Sequence, residues 1–481
     1  MKLKAQTLGT FQFPPDYDVV RTAVLNKTDL TGGNNKFYVL EMHVSKDGQR
    51  FRLYSRYGRV GASGVEEERI PEQDPASLER AFNQLKAAKA GPRKGYVEVK
   101  LAQSKMGSSV GKGMVLSDDV RREKLTSVDD AKPVPKLDLH PTIERLVARL
   151  FEEAGQAVRN QLSGTLQTTT ENPLGTLTLG QIEDGRKILQ EVQQLLTAKP
   201  ALKGSIATPV LDLSNRFYSA IPQTMDKRPR PVEGRQAMET WLRSMALNQE
   251  TVLDAKEELL DLLSDVQGMV GGFATTDVDQ KYQEIGCSYE FLDQDDPTYR
   301  HVANHMNSTR SRHHGWGSQV QNIWRVSVKG QKEKHLPTMR EIGNVQPLFH
   351  GSGPQNILGI CKHGLLMRPP GVYVTGSMFG ASGLYFADQS SKSEQYAFNR
   401  FGGGSGRNNP SYFMFVTDVA LGTIKRYQEA QPHLTKPPSG YHSVQGEKGR
   451  ALLHNEFIVY SREQHLLQYL IEFKTDNRRG W

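Results

Sequence analysis

The C-terminal third of the sequence contains residue types suited to binding and catalysis. The Glu456 carboxylate can accept a hydrogen bond from a hydroxyl group, stabilise a nearby cation and act as a general base. The His350 ring can hold a hydroxyl group, and Gly351, which has no side chain, leaves its backbone N–H and C=O open to an amide. Taken singly, such residues are more often ordinary loop or surface positions. A function therefore requires a fold that brings them together.

Two tyrosines between these positions add aromatic surfaces. Tyr385 and Tyr396 can stack against a flat ring, and each offset stack contributes roughly 0.5 to 1.5 kcal/mol beyond burial. Ser393 can donate a further hydrogen bond to an amide. A tyrosine in an apolar run, such as Tyr385, is also a common core residue.

The sequence gives little support to a metal site. The histidines that lie near one another are His301, His305, His313 and His314. No cysteine or carboxylate with ligand spacing accompanies them, so we expect a solvated loop and no metal. Cys287 and Cys361 are the only cysteines, too few for a disulfide framework or a cysteine-based zinc finger, and we expect both to be buried thiols.

Length and composition indicate a globular protein of about three domains. The chain has 481 residues, of which 37% are hydrophobic and 24% are charged. No apolar run approaches the roughly 18 residues that a membrane span needs, and the N-terminus has no apolar signal core. We therefore expect an intracellular protein without a membrane partner, nuclear if eukaryotic and in the cytoplasm or nucleoid if bacterial.

Positive charge is concentrated at one end of the chain. Residues 1–125 contain 12 Lys and 10 Arg against 15 acidic residues, so they carry +7 of the net charge of +8. The basic residues that follow one another there are Lys86, Lys89, Arg93, Lys94, Lys100, Lys105 and Lys112, opposed only by Glu98. This pattern predicts a phosphate-binding face, although a solvated helix followed by a linker has the same composition.

Hydrophobic periodicity divides the chain into three regions. Alternating residues over 38–44 and 51–57, with Asp47-Gly48 between them, predict a hairpin, and residues 78–89 predict a helix. Residues 102–136 have the composition of a linker.

The middle region has helical periodicity. An apolar stripe begins at Ile143, Thr178 and Gln181 form a capping-box pattern, and residues 238–270 predict one long helical stretch ending at Gly271-Gly272. We expect about six helices between 137 and 272. Short β-rich runs at 412–416, 456–460 and 469–473 then indicate a mixed α and β region.

Two motifs near the N-terminus resemble the WGR domain. They are residues 34–38 (Asn-Asn-Lys-Phe-Tyr) and 56–61 (Arg-Tyr-Gly-Arg-Val-Gly), with Tyr57 where the family has tryptophan. The resemblance implies a nucleic-acid-binding module in which Tyr57 stacks on a sugar or base and Arg59 and Lys94 contact phosphate. An aromatic residue packed on a hairpin is the alternative.

The helical region resembles the regulatory domain of poly(ADP-ribose) polymerases. The matching motifs are Asn172-Pro173-Leu174-Gly175 with Gln181-Ile182, and residues 211–222. In that family the domain covers the cofactor cleft until the nucleic-acid module engages a break. The resemblance implies that Glu257 and Asp261, one turn apart, face the cleft, whereas a solvated helix face is the alternative.

The C-terminal region is similar to the catalytic domain of the same family. Its motifs occur in the family's order at residues 348–352, 378–388, 391–396 and 455–460. The implied fold is a multidomain α+β protein: a β-rich WGR domain, an all-α regulatory bundle, and a mixed α/β ADP-ribosyltransferase domain with two antiparallel-rich sheets. We predict an N-terminal tail at 1–16, a WGR-like domain at 17–112, a linker at 113–136, a regulatory domain at 137–272 and a catalytic domain at 273–481.

The resemblance also implies the roles of individual residues. Glu456, His350 and Tyr385 correspond to the catalytic set. NAD, as substrate and without a metal, would be bound by His350, Gly351, Ser352, Asn356, Tyr385, Ser393 and Tyr396. The implied activity is poly(ADP-ribosyl) transfer to the chain itself and to nearby proteins, with nicotinamide release, stimulated by DNA breaks with 5′-phosphate ends.

Two departures keep other activities open. Ser377 stands where many polymerases have tyrosine, and the connection between residue 444 and Asn455 is short, where animal and plant members have a long insertion. The short connection leaves transfer of a single ADP-ribose unit as one alternative. A catalytically silent DNA-binding scaffold is the other.

Overall fold

The computed structural model places two compact units within the chain. It describes residues 6–7, 13–14, 17–46, 48–60, 64–69, 75–99, 136–162, 174–175, 177–223, 225, 228–312, 314–367, 378–380, 382–398 and 411–476. The first unit comprises Met1–Val134 with Val158–Val252, and the second Pro135–Ala157 with Leu253–Trp481. In the described part of the chain, no helix has the length and apolar character that crossing a membrane requires.

A six-stranded antiparallel sheet forms the base of the first unit. Its strands are β1 (Gln6–Thr7), β2 (Tyr17–Asp29), β3 (Asn34–Ser45), β4 (Phe51–Arg59), β5 (Val65–Arg69) and β6 (Val97–Val99). They lie in the order β1-β5-β4-β3-β2-β6. Helix α1 (Pro75–Ala90) packs Leu78 and Phe82 against one face of this sheet.

The hairpin predicted between residues 38 and 57 is confirmed. Strands β3 and β4 are antiparallel with Tyr38 opposite Tyr57 and Val44 opposite Phe51. Gly48 has a φ of +72°, the left-handed conformation that glycine adopts readily at a tight turn.

Six α-helices begin between residues 137 and 272 among the described residues. They are α2 (Pro141–Gln161), α3 (Leu179–Ala198), α4 (Thr208–Ala220), α5 (Gly234–Met245), α6 (Glu250–Gln267) and α7 (Val270–Phe273). The compact units divide within α2 and α6. The helical region therefore contributes to both units, and the domain boundaries proposed from the sequence stay a prediction.

Short sequence motifs predicted the start of α3 correctly, but the bounds of the later helices were predicted less accurately. The Thr178 side chain accepts from the Gln181 backbone, and the Gln181 side chain completes the capping box. The single stretch predicted over 238–270 is wrong, because α5 ends at Met245 and α6 begins at Glu250. Between them the Asn248 amide donates to the Leu202 carbonyl at 2.8 Å, which holds this segment in a non-helical path.

The helix end predicted at Gly271-Gly272 is also wrong, because both residues lie inside α7. A Cβ on Gly272 would lie 2.5 Å from the Phe151 ring. This glycine is therefore explained by close packing rather than by helix termination.

Helix α2 belongs mostly to the second unit, where its apolar stripe is buried. Ile143 and Leu146 are only 5% and 3% exposed. Arg149 on the same helix donates to Ser411 Oγ at 2.6 Å and to Glu472 Oε1 at 2.7 Å. These contacts join α2 to the C-terminal part of the same unit.

Two sheets form the rest of the second unit. The elements in order are α8 (Val278–Ile285), β7 (Cys287–Leu292), α9 (Pro297–Ser308), β8 (Gly317–Val328), α10 (Gln331–Ile342), β9 (Val345–Gly351), α11 (Ile357–His363), β10 (Leu384–Phe386), α12 (Ser390–Ala397), β11 (Tyr412–Ala420), β12 (Ile424–Tyr427), β13 (Ser443–Gly446), β14 (Glu456–Val459) and β15 (His465–Asp476). The antiparallel sheet has the order β7-β8-β15-β11-β9, and the other has the order β10-β14-β13-β12 with only β12 parallel to its neighbour. The predicted α+β architecture with two antiparallel-rich sheets is confirmed.

Several sequence predictions fall outside the described residues. They concern the linker up to residue 135, Ser377, and Lys100, Lys105 and Lys112. Cys287 and Cys361 are 2% and 0% exposed, so the prediction of buried thiols is confirmed.

Candidate active site

Strand β9 carries His350 at the centre of the site. His350 lies opposite Phe415 of β11, and its Nδ1 lies 3.0 Å from the Tyr385 carbonyl oxygen. Because a carbonyl only accepts, Nδ1 carries the proton and Nε2 is left as an acceptor. Burial lowers the pKa of His350, so the ring is neutral at neutral pH and can accept a hydrogen bond from a hydroxyl group.

Gly351 follows at the end of β9 and lies directly against α12. A Cβ at this position would be 1.8 Å from the Ser393 carbonyl oxygen, well inside van der Waals contact. Packing within the protein therefore requires glycine here. The sequence had explained the same residue by the approach of an amide ligand, and that role stays a prediction.

Helix α12 places Ser393 and Tyr396 beside β9. Ser393 is 3% exposed, whereas Tyr396 retains 46% of its exposure, a large value for an aromatic side chain. Burial of the phenol group, together with the nearby Glu456 carboxylate, raises the pKa of Tyr396 to about 12. An accessible aromatic face thus lies near a buried carboxylate.

The carboxylate of Glu456 has one paired and one unpaired oxygen. Glu456 begins β14 and is 6% exposed. Its Oε1 lies 2.7 Å from Lys392 Nζ, while its buried Oε2 has no hydrogen-bond partner among the described residues. A buried unpaired oxygen is costly, and a ligand hydroxyl would satisfy it.

Lys392 was not assigned a role from the sequence. Its ammonium also donates to the carbonyls of His454 at 3.4 Å and Asn455 at 3.1 Å, the two residues before Glu456. Burial lowers the pKa of Lys392, and the neighbouring Glu456 opposes this effect. The sequence contained one signal that could have assigned Lys392 to the site. Lys392 lies four residues before Tyr396, a spacing that places both on one helix face.

Tyr385 is held more firmly than the sequence suggested. Its hydroxyl donates to the Gly380 carbonyl at 2.8 Å and accepts from the Phe379 N–H at 3.0 Å. The ring packs against an apolar cluster that includes Phe379 and Ile458. Tyr385 therefore anchors the segment before β10, and its predicted stacking on a ligand remains untested.

The segment after β9 contains two further residues that were predicted to bind NAD, Ser352 and Asn356. Asn356 Nδ2 donates to Ser352 Oγ at 3.2 Å, so their polar groups lie together. Helix α11 follows directly, and a Cβ on its Gly359 would lie 1.8 Å from Asp265 Oδ2 of helix α6. Asp265, one turn beyond Asp261, is thus an acid of α6 that contacts the element after this segment.

The two acids proposed as regulatory residues lie on α6. Glu257 is 5% exposed, which excludes a solvated helix face for this residue, and Asp261 is partly buried. Their orientation toward a cofactor cleft stays a prediction.

Tyr57, the aromatic residue predicted to bind nucleic acid, lies on β4 among aromatic and charged side chains. The Tyr57 ring stacks on Tyr38 with centroids 5.4 Å apart, and its hydroxyl donates to Glu67 Oε1 at 2.6 Å. Lys89 Nζ lies 3.8 Å from the Tyr38 ring centroid and 5.5 Å from that of Tyr57. Burial is the largest cause that lowers the pKa of Lys89, followed by the charge of Lys94, so a second cation is nearby.

The other basic residues of this region have mixed surroundings. Lys94 is exposed, and its carbonyl accepts from Lys27 Nζ at 2.8 Å. Arg59 donates to the Gly33 carbonyl at 3.4 Å, and Lys86 pairs with Glu98 at 3.1 Å. The predicted basic face is therefore partly used within the protein, and its contacts with nucleic acid stay a prediction.

The histidines between residues 301 and 314 have different surroundings. In the part of the chain that the structure describes, no group of three metal-ligating side chains converges. His314 is not in a solvated loop as expected, because its Nδ1 lies 2.7 Å from Ser391 Oγ of α12. His305 stacks on Phe349 with centroids 4.7 Å apart, and His313 lies outside the described residues.

Comparison with protein families matches three successive regions to the elements described above. The WGR domain model matches residues 21–103, and the poly(ADP-ribose) polymerase regulatory domain model matches residues 138–279. The poly(ADP-ribose) polymerase catalytic domain model matches residues 296–452. The chain belongs to the poly(ADP-ribose) polymerase family.

Relatives in this family are similar over nearly the whole chain. Poly [ADP-ribose] polymerase 1 of Arabidopsis thaliana is 27% identical over 502 residues, covering 96% of this chain and 48% of the relative. The Gallus gallus protein of the same name is 27% identical over 94% of this chain and 45% of its own length. Poly [ADP-ribose] polymerase 2 of Homo sapiens is 26% identical over 97% of this chain and 80% of its own length. This polymerase-family chain thus spans about half the length of the polymerase 1 relatives.

Proposed function

We propose that the chain is an NAD-dependent ADP-ribosyltransferase that transfers ADP-ribose to itself and to other proteins and releases nicotinamide. The observation that carries this proposal is the buried Oε2 of Glu456, which has no hydrogen-bond partner in the described part of the chain, near the accessible ring of Tyr396. NAD offers a ribose hydroxyl for the oxygen and a flat ring for the tyrosine.

Nicotinamide binding is assigned to β9 and α12. The Gly351 backbone and the Ser393 hydroxyl supply donors and an acceptor for the carboxamide, while Tyr396 stacks on the ring. The neutral His350 accepts from a ribose hydroxyl through Nε2. These contacts orient the bond between the ring nitrogen and the ribose C1′.

Transfer breaks that bond and forms a new one at the same carbon. Nicotinamide leaves with the bonding electron pair as a neutral molecule, and positive charge develops on the ribose in an oxocarbenium-like transition state. Glu456 stabilises this charge through the ribose hydroxyl bound at Oε2. An acceptor carboxylate or hydroxyl oxygen then bonds to C1′, and a hydroxyl acceptor gives its proton to Glu456 or to solvent.

The substitution Glu456→Gln tests the role of the carboxylate. It keeps the shape and removes the charge, so we expect nicotinamide release to fall at least about 100-fold while NAD affinity changes little. Incubation with labelled NAD followed by electrophoresis and nicotinamide assay measures both products. Glu290→Gln is the matched control, because Glu290 on β7 pairs with Arg325 at an exposed position outside this cluster. Polymer formation by Glu456→Gln would remove Glu456 from the proposed role.

We further infer that DNA breaks regulate the transferase through the WGR domain. Support comes from contacts between the β2–β3 turn and helix α4 inside the first unit. The Thr28 N–H donates to Ser219 Oγ at 3.0 Å, and the Leu30 N–H donates to Asn215 Oδ1 at 2.8 Å. These bonds join the nucleic-acid module to the regulatory helices, so a change in one can reach the other.

Turnover of NAD with and without DNA measures this regulation. We expect stimulation by nicked or blunt DNA and a stronger response to ends with a 5′ phosphate. Equal turnover without DNA would contradict the regulation while leaving the transferase intact.

Transfer of a single unit remains the second candidate. The connection between β13 and β14 covers only residues 447–455, so little of the chain is available there to shape a site for a growing polymer. A ladder of products in the labelled-NAD assay supports polymer formation, and one discrete added unit supports single transfer.

A further inference from the structure

Helix α12 carries Ser393 and Tyr396, two of the proposed nicotinamide-binding residues, and Lys392, the partner of Glu456, but it has little helical stability of its own. It has eight residues, and its N-cap, Gln389, makes no side-chain capping bond. The cation of Lys392 lies in the first turn, where the helix dipole disfavours positive charge. Isolated helices of this length are unstable in water, so contacts with the rest of the unit must hold α12 in place.

The strongest of these contacts is made by Glu394, whose side chain is completely buried at 0% exposure. Arg310 donates to both of its oxygens at 3.1 Å. Oε2 also accepts from Trp316 Nε1 at 2.6 Å and from Ser318 Oγ at 2.8 Å. A buried carboxylate with this many donors is a fixed point for the helix that carries it.

All of these donors come from the segment between α9 and the start of β8. The Arg310 guanidinium also donates to the Trp316 carbonyl, at 3.1 and 2.6 Å, which closes the segment on itself. The Ser311 N–H donates to Ser391 Oγ at 2.9 Å, a second connection to α12. Residues 309–312 and 314–318 therefore form a brace behind the helix.

We propose that Glu394 is a positioning residue that orients the nicotinamide-binding face of α12, an inference that rests on the proposed transferase function. Glu394 follows Ser393, whose carbonyl lies against Gly351, and precedes Tyr396 by two residues. Rotation or tilt of α12 about this point changes the distance between the Tyr396 ring and β9. Glu394 itself is buried away from solvent and touches the ligand only through its neighbours on the helix.

This role predicts a separation between binding and turnover. Ser393 and Tyr396 belong to α12 itself, whereas α12 reaches Glu456 through the Lys392 side chain and the pairing of β14 with β13 also holds Glu456. A shift of α12 leaves the charge of Lys392 in place, so its effect on Glu456 is smaller than the effect of removing Lys392. Disturbing the brace should therefore weaken binding of the ring more than it slows the chemical step. A role confined to overall stability would not separate these quantities at temperatures where the protein is folded.

The test is Glu394→Gln in the full chain, with Glu290→Gln as control for the loss of one charge. Glu290 pairs with Arg325 at an exposed position. Benzamide, which matches the ring and carboxamide of nicotinamide, is the binding probe. We expect its Kd and the KM for NAD to rise at least about tenfold, because Gln leaves Arg310 without a counter-charge, and kcat to change less than about threefold.

Two further measurements make the result independent of catalysis. Hydrogen exchange of the unliganded protein should increase over residues 390–397 in Glu394→Gln and stay unchanged over 297–308. The double variant Glu394→Gln with Arg310→Met removes both buried charges, and we expect benzamide affinity within about threefold of the original.

Each outcome is decisive for one of the two proposals. If the unaltered chain neither binds benzamide nor releases nicotinamide, the transferase proposal fails. If it does both and folded Glu394→Gln binds benzamide as tightly, the positioning role is wrong. Should Glu394→Gln fail to fold, Ser318→Ala removes a single donor, and a Kd unchanged in that folded variant likewise overturns the role.

Discussion

Close contact between Gly351 and Ser393 leaves no room for a side chain at position 351. The substitution Gly351→Ala places a methyl group against a backbone carbonyl, which neither β9 nor α12 can move aside cheaply. We expect a loss of about 1 to 3 kcal/mol in the free energy of unfolding and weaker benzamide binding. Calorimetry and titration measure the two effects.

Gly353→Ala is the matched control for this substitution. The atoms nearest to a Cβ there belong to the flexible end of the Gln355 side chain, at 2.6 to 2.9 Å, which can rotate away. Equal effects of the two substitutions would show that the contact with Ser393 has no special importance.

Lys392 is the second position at which a single side chain has a large expected effect. Lys392→Met leaves Glu456 as a buried carboxylate without its cation, which costs about 3 kcal/mol of stability. We also expect kcat to fall at least about tenfold, because Glu456 and the two residues before it lose a common anchor. Chemical unfolding and NAD turnover measure these changes.

Lys187→Met serves as the control, since Lys187 forms an exposed pair with Asp184 and such pairs contribute little. If Lys392→Met retained both stability and turnover, the ion pair would have no part in positioning Glu456.

Among the contacts between elements, the one between the β2–β3 turn and helix α4 can be tested by a single substitution. Asn215→Ala removes the acceptor of the Leu30 N–H, a bond worth about 1 kcal/mol. We expect DNA affinity to stay constant while the stimulation of NAD turnover by DNA falls. Fluorescence anisotropy and turnover assays separate the two quantities.

Arg216→Met is the control on the neighbouring residue, because its partner Glu191 lies on α3 at an exposed position. Equal loss of stimulation in both variants would assign the effect to α4 in general rather than to its bond with the turn.

Elements defined by local signals were the ones predictable from the sequence. The capping box at Thr178, the hairpin around Gly48 and the buried stripe of α2 follow from residues a few positions apart. The break between α5 and α6 was missed because it depends on Asn248 reaching the Leu202 carbonyl, 46 residues away. Periodicity contains no information about such a contact.

The candidate site shows the same division. Motif order predicted His350, Gly351, Tyr385, Ser393, Tyr396 and Glu456 as site residues, and their roles stay a prediction. The brace behind α12 was not predictable, because Glu394 finds its donors 76 to 84 residues earlier in the chain. The burial of Lys392 against Glu456 likewise depends on tertiary structure, although its helical spacing from Tyr396 was visible.

For the molecule as a whole, buried neutral histidines make stability depend on pH. Burial lowers the pKa of His465 to about 3, against 6.5 for an unperturbed histidine. A depressed folded-state pKa gives stability that is complete above pH 6.5 and is lost as the pH falls toward 3. This single group should cost about 3 kcal/mol between pH 6.5 and pH 4.

Urea unfolding at pH 7 and pH 4 measures this effect, with His465→Gln as the comparison. In the original protein the Leu365 N–H donates to His465 Nε2 at 3.3 Å. Glutamine keeps an acceptor for this N–H, but its side chain does not titrate. We expect a smaller loss of stability in the variant. The same loss in both proteins would assign acid sensitivity to other groups.

Contact between Gly351 and Ser393 also limits how the ligand specificity of this chain can change. Because that position accepts no side chain for reasons internal to the protein, mutation there cannot resize the pocket without disturbing α12. Variants that admit a bulkier base analogue should therefore arise at Tyr396, whose ring is open to solvent, and a library for altered substrate choice is best randomised there.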